Sequence, residues 1–329
     1  MRLKLVEEGG VKLKVPDVAL PEEGEVFYNP EQALSRDISL LLYASMGVDV
    51  LDGMAGTGAR AVRLARHGLR VVANDRSEKA AALIKKNARL NGVELEVMCG
   101  DLRALLHSRR FGAVDIDPFG SPAPFVHCAF SSAIRVIGVA ATDTAALAGT
   151  YPRVGRRRYG VQTRKLPNYP EIGVRALAGF VVREGAKLEV AARPVFAHAY
   201  RHCYRLYFSL KRGAGASDRL LGELGSYEGV GPIYMGNLWD PPLVKGMVKM
   251  SRKVQLAHPK TAEQLRLISE ELKFPRPYYD VHALCRGVRS CPSMEKVLEA
   301  TGGVRTHFSP TGFRCDLGRE ELERLLAKI

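Results

Sequence analysis

The chain has 329 residues, 46% of them hydrophobic and 26% charged, with a formal net charge of +14. These values suit an ordinary folded chain of two domains and exclude a disordered polymer. No run of about 18 apolar residues occurs, and the start, MRLKLVEEGGVKLKV, lacks the apolar core of a secretory signal, so a cytoplasmic protein with no membrane contact is expected.

The positive excess favours an anionic partner, nucleic acid first among them; a merely basic surface is the alternative. The six cysteines (Cys99, Cys128, Cys203, Cys285, Cys291 and Cys315) form no C-x-x-C pair. A zinc ribbon or a disulfide framework is therefore not expected, and buried reduced thiols are.

In residues 1–30, VKLKV and EVFYNP read as short strands of an N-terminal β extension. From Pro30 a helical pattern begins, with Leu34, Ile38, Leu41 and Leu42 on one face. Arg36 lies near its start and by itself says little. Residues 48–52 read as a strand ending in Asp52, followed by Gly53-Met54-Ala55-Gly56-Thr57-Gly58 and a helix that Gly68 closes. Strand, glycine turn and helix form a nucleotide-binding βα unit. The plan repeats: residues 70–74 make a strand ended by Asp75, at the spacing from Gly53 where an acid accepts from ribose hydroxyls. A helix follows from its cap Ser77 to Asn91-Gly92. A third strand, residues 94–99, leads to Gly100-Asp101-Leu102, where an acid and a backbone N–H suit an adenine edge.

The fourth strand organises the chain. Phe111-Gly112-Ala113-Val114 runs into Asp115-Ile116-Asp117-Pro118-Phe119-Gly120-Ser121-Pro122. Pro118 has no N–H for a ladder and stops the strand there. Asp117 is thereby held at a carboxyl end, where open α/β sheets bind ligands. The Asp117 carboxylate, the Pro118 carbonyl and the Phe119 ring would make a pocket for an exocyclic amino group on a base. Asp-Pro in isolation reads first as a helix N-cap and turn, and the residues that follow it favour the pocket. The loop Gly53-x-x-Gly56-x-Gly58, preceded by Asp52, lacks the G-x-G-x-x-G of a pyrophosphate cradle, which disfavours a nicotinamide-dependent dehydrogenase. Acids along one sheet edge suit a cofactor with a positive centre, and S-adenosylmethionine fits.

Residues 136–143 read as a fifth strand. TYPRVGRRRYGVQTRK, residues 150–165, reads as a basic loop with Arg153, Arg156, Arg157, Arg158, Arg164 and Lys165 and no acid. Its cations would serve phosphates, and Tyr151 and Tyr159 could stack on unpaired bases. A helix at 172–183 and strands at 188–196 and 202–210 complete seven strands, the last two read as an antiparallel edge pair. Residues 213–231 read as a linker. The remainder, 232–329, shows helices at 243–257, 261–272, 279–289 and 293–300, then a strand pair around Pro310-Thr311-Gly312, a winged-helix-like pattern.

These residues match a known family. The chain resembles archaeal and eukaryotic tRNA (guanine-N2-)-dimethyltransferases acting on guanine 26. The matching stretches are Val26-Phe27-Tyr28-Asn29-Pro30, Arg36-Asp37, Gly56-Thr57-Gly58-Ala59-Arg60, the segment from Asp115 to Pro122, Ala141-Thr142-Asp143, His202-Cys203-Tyr204-Arg205, Tyr279-Asp280-Val281-His282-Ala283 and Thr306-His307-Phe308-Ser309-Pro310-Thr311-Gly312. The resemblance implies an α/β, Rossmann-like class I methyltransferase domain (31–212) with a seven-stranded, mostly parallel sheet. It implies a smaller α+β C-terminal domain that binds tRNA. It further implies that Arg36, Arg60, Asp75, Asp101 and Leu102 bind S-adenosylmethionine, beside Asp52 and Gly53, and that Asp117 is catalytic. Many members carry paired zinc-binding cysteines after the sheet. Residues 213–231 have none, so no metal is expected. Ser35 stands where relatives are expected to carry Asn. A monomer that methylates guanine N2 once and then again is expected. Competing readings are an N2-guanine or N6-adenine methyltransferase for another RNA or DNA site, and an RNA-binding protein with an inactive sheet.

Overall fold

The computed structural model describes residues 2–20, 23–286 and 291–328. The chain opens with a hairpin of β1 (Leu3–Glu8) and β2 (Val11–Pro16), in which Glu8 faces Val11 across Gly9-Gly10. Both glycines have positive φ, 56° and 79°, as a two-residue hairpin turn requires. Val11, Leu13 and Val15 point inward onto Ala59, Val62 and Ala88. Residues 25–30, read as a second strand, are not one. Asn29 accepts from the Glu31 N–H and starts a short 3-10 turn at Pro30–Gln32, so the chain bends away from any ladder. Helix α1 (Ala33–Met46) is buried all round from Ala33 to Tyr43, beyond the single apolar face read from the sequence.

The sheet follows. Its elements are β3 (Val50–Asp52), α2 (Ala59–Arg66), β4 (Val71–Asp75), α3 (Glu78–Leu90), β5 (Glu96–Cys99), α4 (Leu102–Ser108), β6 (Phe111–Ile116), α5 (Ala123–Ser132) and β7 (Ala133–Ala141). Then come α6 (Thr144–Leu147), α7 (Pro152–Tyr159), α8 (Tyr169–Ala186), β8 (Val190–Tyr200) and β9 (Cys203–Arg212). The strand order is β5-β4-β3-β6-β7-β9-β8, with β3 to β7 parallel and β9 antiparallel to both its neighbours. The sheet is the seven-stranded, mostly parallel one expected. Strand order reverses between β3 and β6, and the crevice beyond the ends of those two strands is the switch point where such sheets bind ligands.

Residues 213–231, read as a linker, are folded. They form α9 (Ala214–Leu221) and most of a hairpin of β10 (Leu224–Tyr227) and β11 (Val230–Tyr234). β11 lies so close to α8 that a Cβ on Gly179 would be 3.1 Å from Ile233 Cα. The expected basic loop is also partly helical, since α7 carries Arg153 and Arg156 to Arg158.

Further on are α10 (Pro241–Ser251), α11 (Thr261–Glu271), β12 (Tyr279–Asp280), α12 (Val281–Leu284), α13 (Met294–Thr301), β13 (Val304–Arg305), β14 (Gly312–Arg314) and α14 (Arg319–Leu326). The helix read at 243–257 stops at Ser251. Of that read at 279–289, only Val281–Leu284 is helical, and 287–290 lie outside the described residues. β14 is the only strand within the expected pair around Pro310; its partners are β12 and β13, earlier in the chain.

Two buried carboxylates meet at Arg314: Glu171 joins this region to the sheet domain, and Glu271 ties the region together internally. Glu171 on α8 pairs with Arg175 and with Arg314 of β14, and accepts from the Tyr278 N–H at 2.9 Å. Glu271 accepts from Arg314 at 2.6 Å, Thr306 at 2.6 Å, and the His307 N–H and ring at 2.9 and 2.6 Å. Burial raises the cost of the Glu271 charge, but His307 and Arg314 outweigh it and hold its pKa at about 2, below the ordinary 4.5. Its stabilisation is therefore complete above about pH 4.5 and is lost as pH falls towards 2. Replacing Glu271 with Gln should cost about 3–5 kcal/mol, because it leaves the buried Arg314 guanidinium short of a partner. It should also flatten the fall of the melting temperature in acid; an unaltered slope in thermal scans across that range would assign the acid sensitivity elsewhere.

Candidate active site

At the end of β6, Asp117 leaves the ladder before Pro118, and Gly120 turns the chain with φ of 82°. The turn is fastened to the end of β7. The Gly120 N–H donates to Thr142 Oγ1 at 2.7 Å, and the Thr142 N–H donates back to the Gly120 carbonyl at 2.9 Å. Helix α5 begins only at Ala123, with Pro122 at its cap position, so Asp117 is not a helix cap. Phe119 is 70% exposed and meets Phe27 edge-on at 4.4 Å. An aromatic ring that exposed costs free energy in water and offers a stacking face.

Beneath this turn lies a cluster of charges. Parallel pairing puts Asp52 of β3 level with Asp115 of β6, two buried carboxylates side by side. Such a pair repels unless cations are supplied. Arg60, in the first turn of α2, supplies one. Its Nη1 donates to Asp115 at 2.9 Å and to Asp52 at 3.2 Å, and its Nη2 donates to Asp117. Arg205, near the start of β9, supplies the other. It donates to Asp115 and sits 3.7 Å from Asp117. Tyr43 donates to Asp115 at 2.7 Å, in space kept by Gly138, where a Cβ would lie 2.4 Å from the Tyr43 hydroxyl.

Three carboxylates face two guanidiniums, so the fully ionised cluster carries one net negative charge. The effect shows at Asp52. Burial pushes its carboxyl up, Arg60 opposes this, and Asp115 and Asp117 push it further, to about 6. Its Oδ2 is buried without a hydrogen-bond partner. Asp117 moves the other way: burial would raise it, but Arg60 and Arg205 outweigh burial and lower it. Its side chain remains 28% exposed.

The other expected cofactor residues lie around this cluster. Gly53 allows β3 and β6 to meet, since a Cβ there would fall 2.9 Å from the Asp115 carbonyl and from Leu102 Cδ1. Leu102 is thus buried against Gly53. Asp75 accepts from the Gly56 and Ser77 N–H groups, both at 2.9 Å, and so shapes the glycine loop. Asp101 caps α4 and pairs with Arg103 at 2.7 Å while half exposed. Arg36 is 7% exposed and held by Glu8, with its charge felt at Asp117.

The basic stretch is wired to the same turn. Ser121 and Tyr159 share a 2.7 Å hydrogen bond, Tyr159 donates to Asp143 at 2.5 Å, and Arg158 pairs with Asp143 at 3.0 Å. Arg153, Arg156, Arg157, Arg164 and Lys165 are exposed, and among the described residues none has an ion-pair partner. Sequence reading missed Asp115, Arg205, Tyr43 and Glu8 as parts of the site. The available signal for Arg205 was a lone cation inside an apolar strand, Cys203-Tyr204-Arg205-Leu206-Tyr207-Phe208.

Known proteins resemble this chain along nearly its whole length. The family model described as N2,N2-dimethylguanosine tRNA methyltransferase matches residues 9–229 and 221–327. The chain is 37% identical to a tRNA (guanine(26)-N(2))-dimethyltransferase of Pyrobaculum islandicum, over 99% of this chain and 100% of that one. It is 35% identical to the protein of the same name from Thermococcus kodakarensis, over 96% of each. Among solved structures, that of Trm1 from Pyrococcus horikoshii with S-adenosyl-L-methionine superposes with a TM-score of 0.91 at 30% identity, covering 98% of this chain and 100% of the other. With nearly the whole length matched in sequence and in fold, the chain belongs to the N2,N2-dimethylguanosine tRNA methyltransferase family.

Proposed function

We propose that this chain methylates the exocyclic N2 of guanine 26 in tRNA, first to the monomethyl and then to the dimethyl product, with S-adenosylmethionine as donor. The observation that carries the reading is a net-negative cluster at the switch point, directly below an exposed aromatic ring. S-adenosylmethionine supplies an electrophilic methyl group on a cationic sulfur. The residues present fit it: the cluster lacks one positive charge, and a buried oxygen of Asp52 lacks a partner. Arg36 has donors to spare for a carboxylate, and Asp75, Asp101, Leu102 and Gly53 line the strand ends that would take the nucleoside.

The chemistry follows from the charges. Guanine N2 is a poor nucleophile because its lone pair is delocalised into the ring. Asp117 and the Pro118 carbonyl accept its two hydrogens and fix the direction of the lone pair, so orientation is the main contribution. The two arginines keep Asp117 ionised and make it a weak base. Proton removal therefore follows transfer, when the alkylated nitrogen is cationic and a far stronger acid. The target base leaves its stack and rests on Phe119. Arg153, Arg156, Arg157, Arg158, Arg164 and Lys165 take phosphates. The proposed division is an N-terminal extension (1–30), a methyltransferase domain (31–212), a connecting segment (213–231) and a tRNA-binding domain with winged-helix-like features (232–329), acting as a monomer in the cytoplasm.

Asp117→Asn should slow transfer to a tRNA transcript by roughly 10²-fold or more, while calorimetry shows S-adenosylhomocysteine binding largely kept; near wild-type turnover would remove Asp117 from the mechanism. Raising pH through about 6 ionises Asp52 and completes the cluster's negative charge. The affinity ratio of cationic S-adenosylmethionine to neutral S-adenosylhomocysteine should rise over that interval, and a flat ratio would contradict the charge argument. Arg156→Gln with Arg157→Gln should weaken tRNA binding and lower the slope of log K against log salt by roughly one per lost contact. An identical slope would rule out this helix as a phosphate contact.

A further inference from the structure

Arg36 does not reach the site unaided. Its Nε donates to Glu8 Oε1 at 2.7 Å and its Nη2 to Glu8 Oε2 at 2.5 Å, a two-pronged pairing that fixes the plane of the guanidinium. Nη2 also donates to the Asn29 carbonyl at 3.0 Å, and the Tyr28 ring lies 5.3 Å from the guanidinium carbon. Nη1 has no hydrogen-bond partner among the described residues. Nε and both hydrogens of Nη2 are thus committed, and only the two N–H groups of Nη1 remain open.

Glu8 is itself over-determined. It is 5% exposed, accepts from Tyr28 at 3.0 Å, and takes a second cation, Arg63, at 3.2 Å. Burial disfavours its charge, yet Arg36 and Arg63 prevail and hold its pKa at about 2, so it stays ionised. It is the last residue of β1, and the hairpin is bolted in place by Asn87 of α3 and by Asn91 just past the end of that helix. Asn87 and Asn91 each exchange a pair of hydrogen bonds with the backbone of β2, at Lys14 and Lys12, over 2.7–3.0 Å. Asn87 also donates to the Thr57 carbonyl in the glycine loop at 2.9 Å. Gly9 seals the corner, since a Cβ there would fall 2.5 Å from Arg63 Nη2.

We infer that Glu8 is a positioning residue for the methyl donor: the N-terminal hairpin presents it so that Arg36 keeps its Nη1 turned to the donor's carboxylate. The inference rests on the proposal that Arg36 binds the donor. The carboxylate is the only anionic group S-adenosylmethionine has, and the unpaired Nη1 N–H groups offer it charge-assisted hydrogen bonds. Glu8→Gln keeps the shape but sets an amide N–H₂ against a guanidinium donor, so the two-pronged hold fails.

The test compares ligands with and without the carboxylate. In calorimetry with Glu8→Gln, S-adenosylhomocysteine should bind about tenfold more weakly, the scale of one lost charge-assisted hydrogen bond. 5′-Methylthioadenosine, which lacks the amino-acid tail, should bind as to wild type. In turnover assays the KM for S-adenosylmethionine should rise more than kcat falls. Equal weakening of both ligands would make Glu8 a part of the fold only and overturn the inference, as would unchanged S-adenosylhomocysteine affinity. Arg36→Lys is the control. If it leaves both ligands unaffected, the Arg36 assignment itself fails; if it weakens S-adenosylhomocysteine alone while Glu8→Gln does nothing, only the role of Glu8 falls.

Discussion

The structure depends on the forced neighbourhood of Asp52 and Asp115. Parallel register sets them side by side under the sheet's switch point, with almost no water to screen them. While both are ionised they repel, and cations from elsewhere in the chain offset that repulsion. Arg60 comes from the next helix and Arg205 from a strand 90 positions along the chain from Asp115. The insertion of β9 between β7 and β8 is what brings Arg205 there. A buried ion pair is weak support for stability, because desolvation consumes most of the Coulomb gain. Its use here is to set charge. Two cations against three acids leave a deficit in the place where a cationic donor is proposed to sit.

The parallel half of the sheet was legible because each of its strands is a short apolar run stopped by an acid, a glycine or a proline. That punctuation needs no distant partner. The hairpin at the start was half legible. VKLKV alternates, but the Gly9-Gly10 turn that pairs it with LKLVEE went unread. Pro152 at the start and Gly160 at the end mark α7 as a helix, with φ of 57° at Gly160, yet the density of arginines suggested a loop. The segment 213–231 read as a linker because small and charged residues dominate it; its order comes from packing on α8, through Leu220, Val230 and Ile233. The C-terminal strands are two or three residues long, too short to carry a period.

The site was legible where motif and strand end coincide. Asp52, Gly53, Arg60 and Asp117 were singled out and meet at one place. What escaped was every contact made across sequence. Arg205 and Tyr43 look like core residues in isolation, and Glu8 looks like a surface acid beside a turn. Their meaning lies in their partners, and only the folded topology reveals those.

The bond sequence Ser121–Tyr159–Asp143–Arg158 carries one last implication. It leaves no slack between the arginine-rich helix and the turn holding Asp117. On the proposed reading, a phosphate gripped along that helix stands at a constant offset from the reacting nitrogen. The enzyme then acts as a caliper. On that same reading, a nucleotide is selected by how far it stands from a seized backbone, without any spelling of the neighbouring letters.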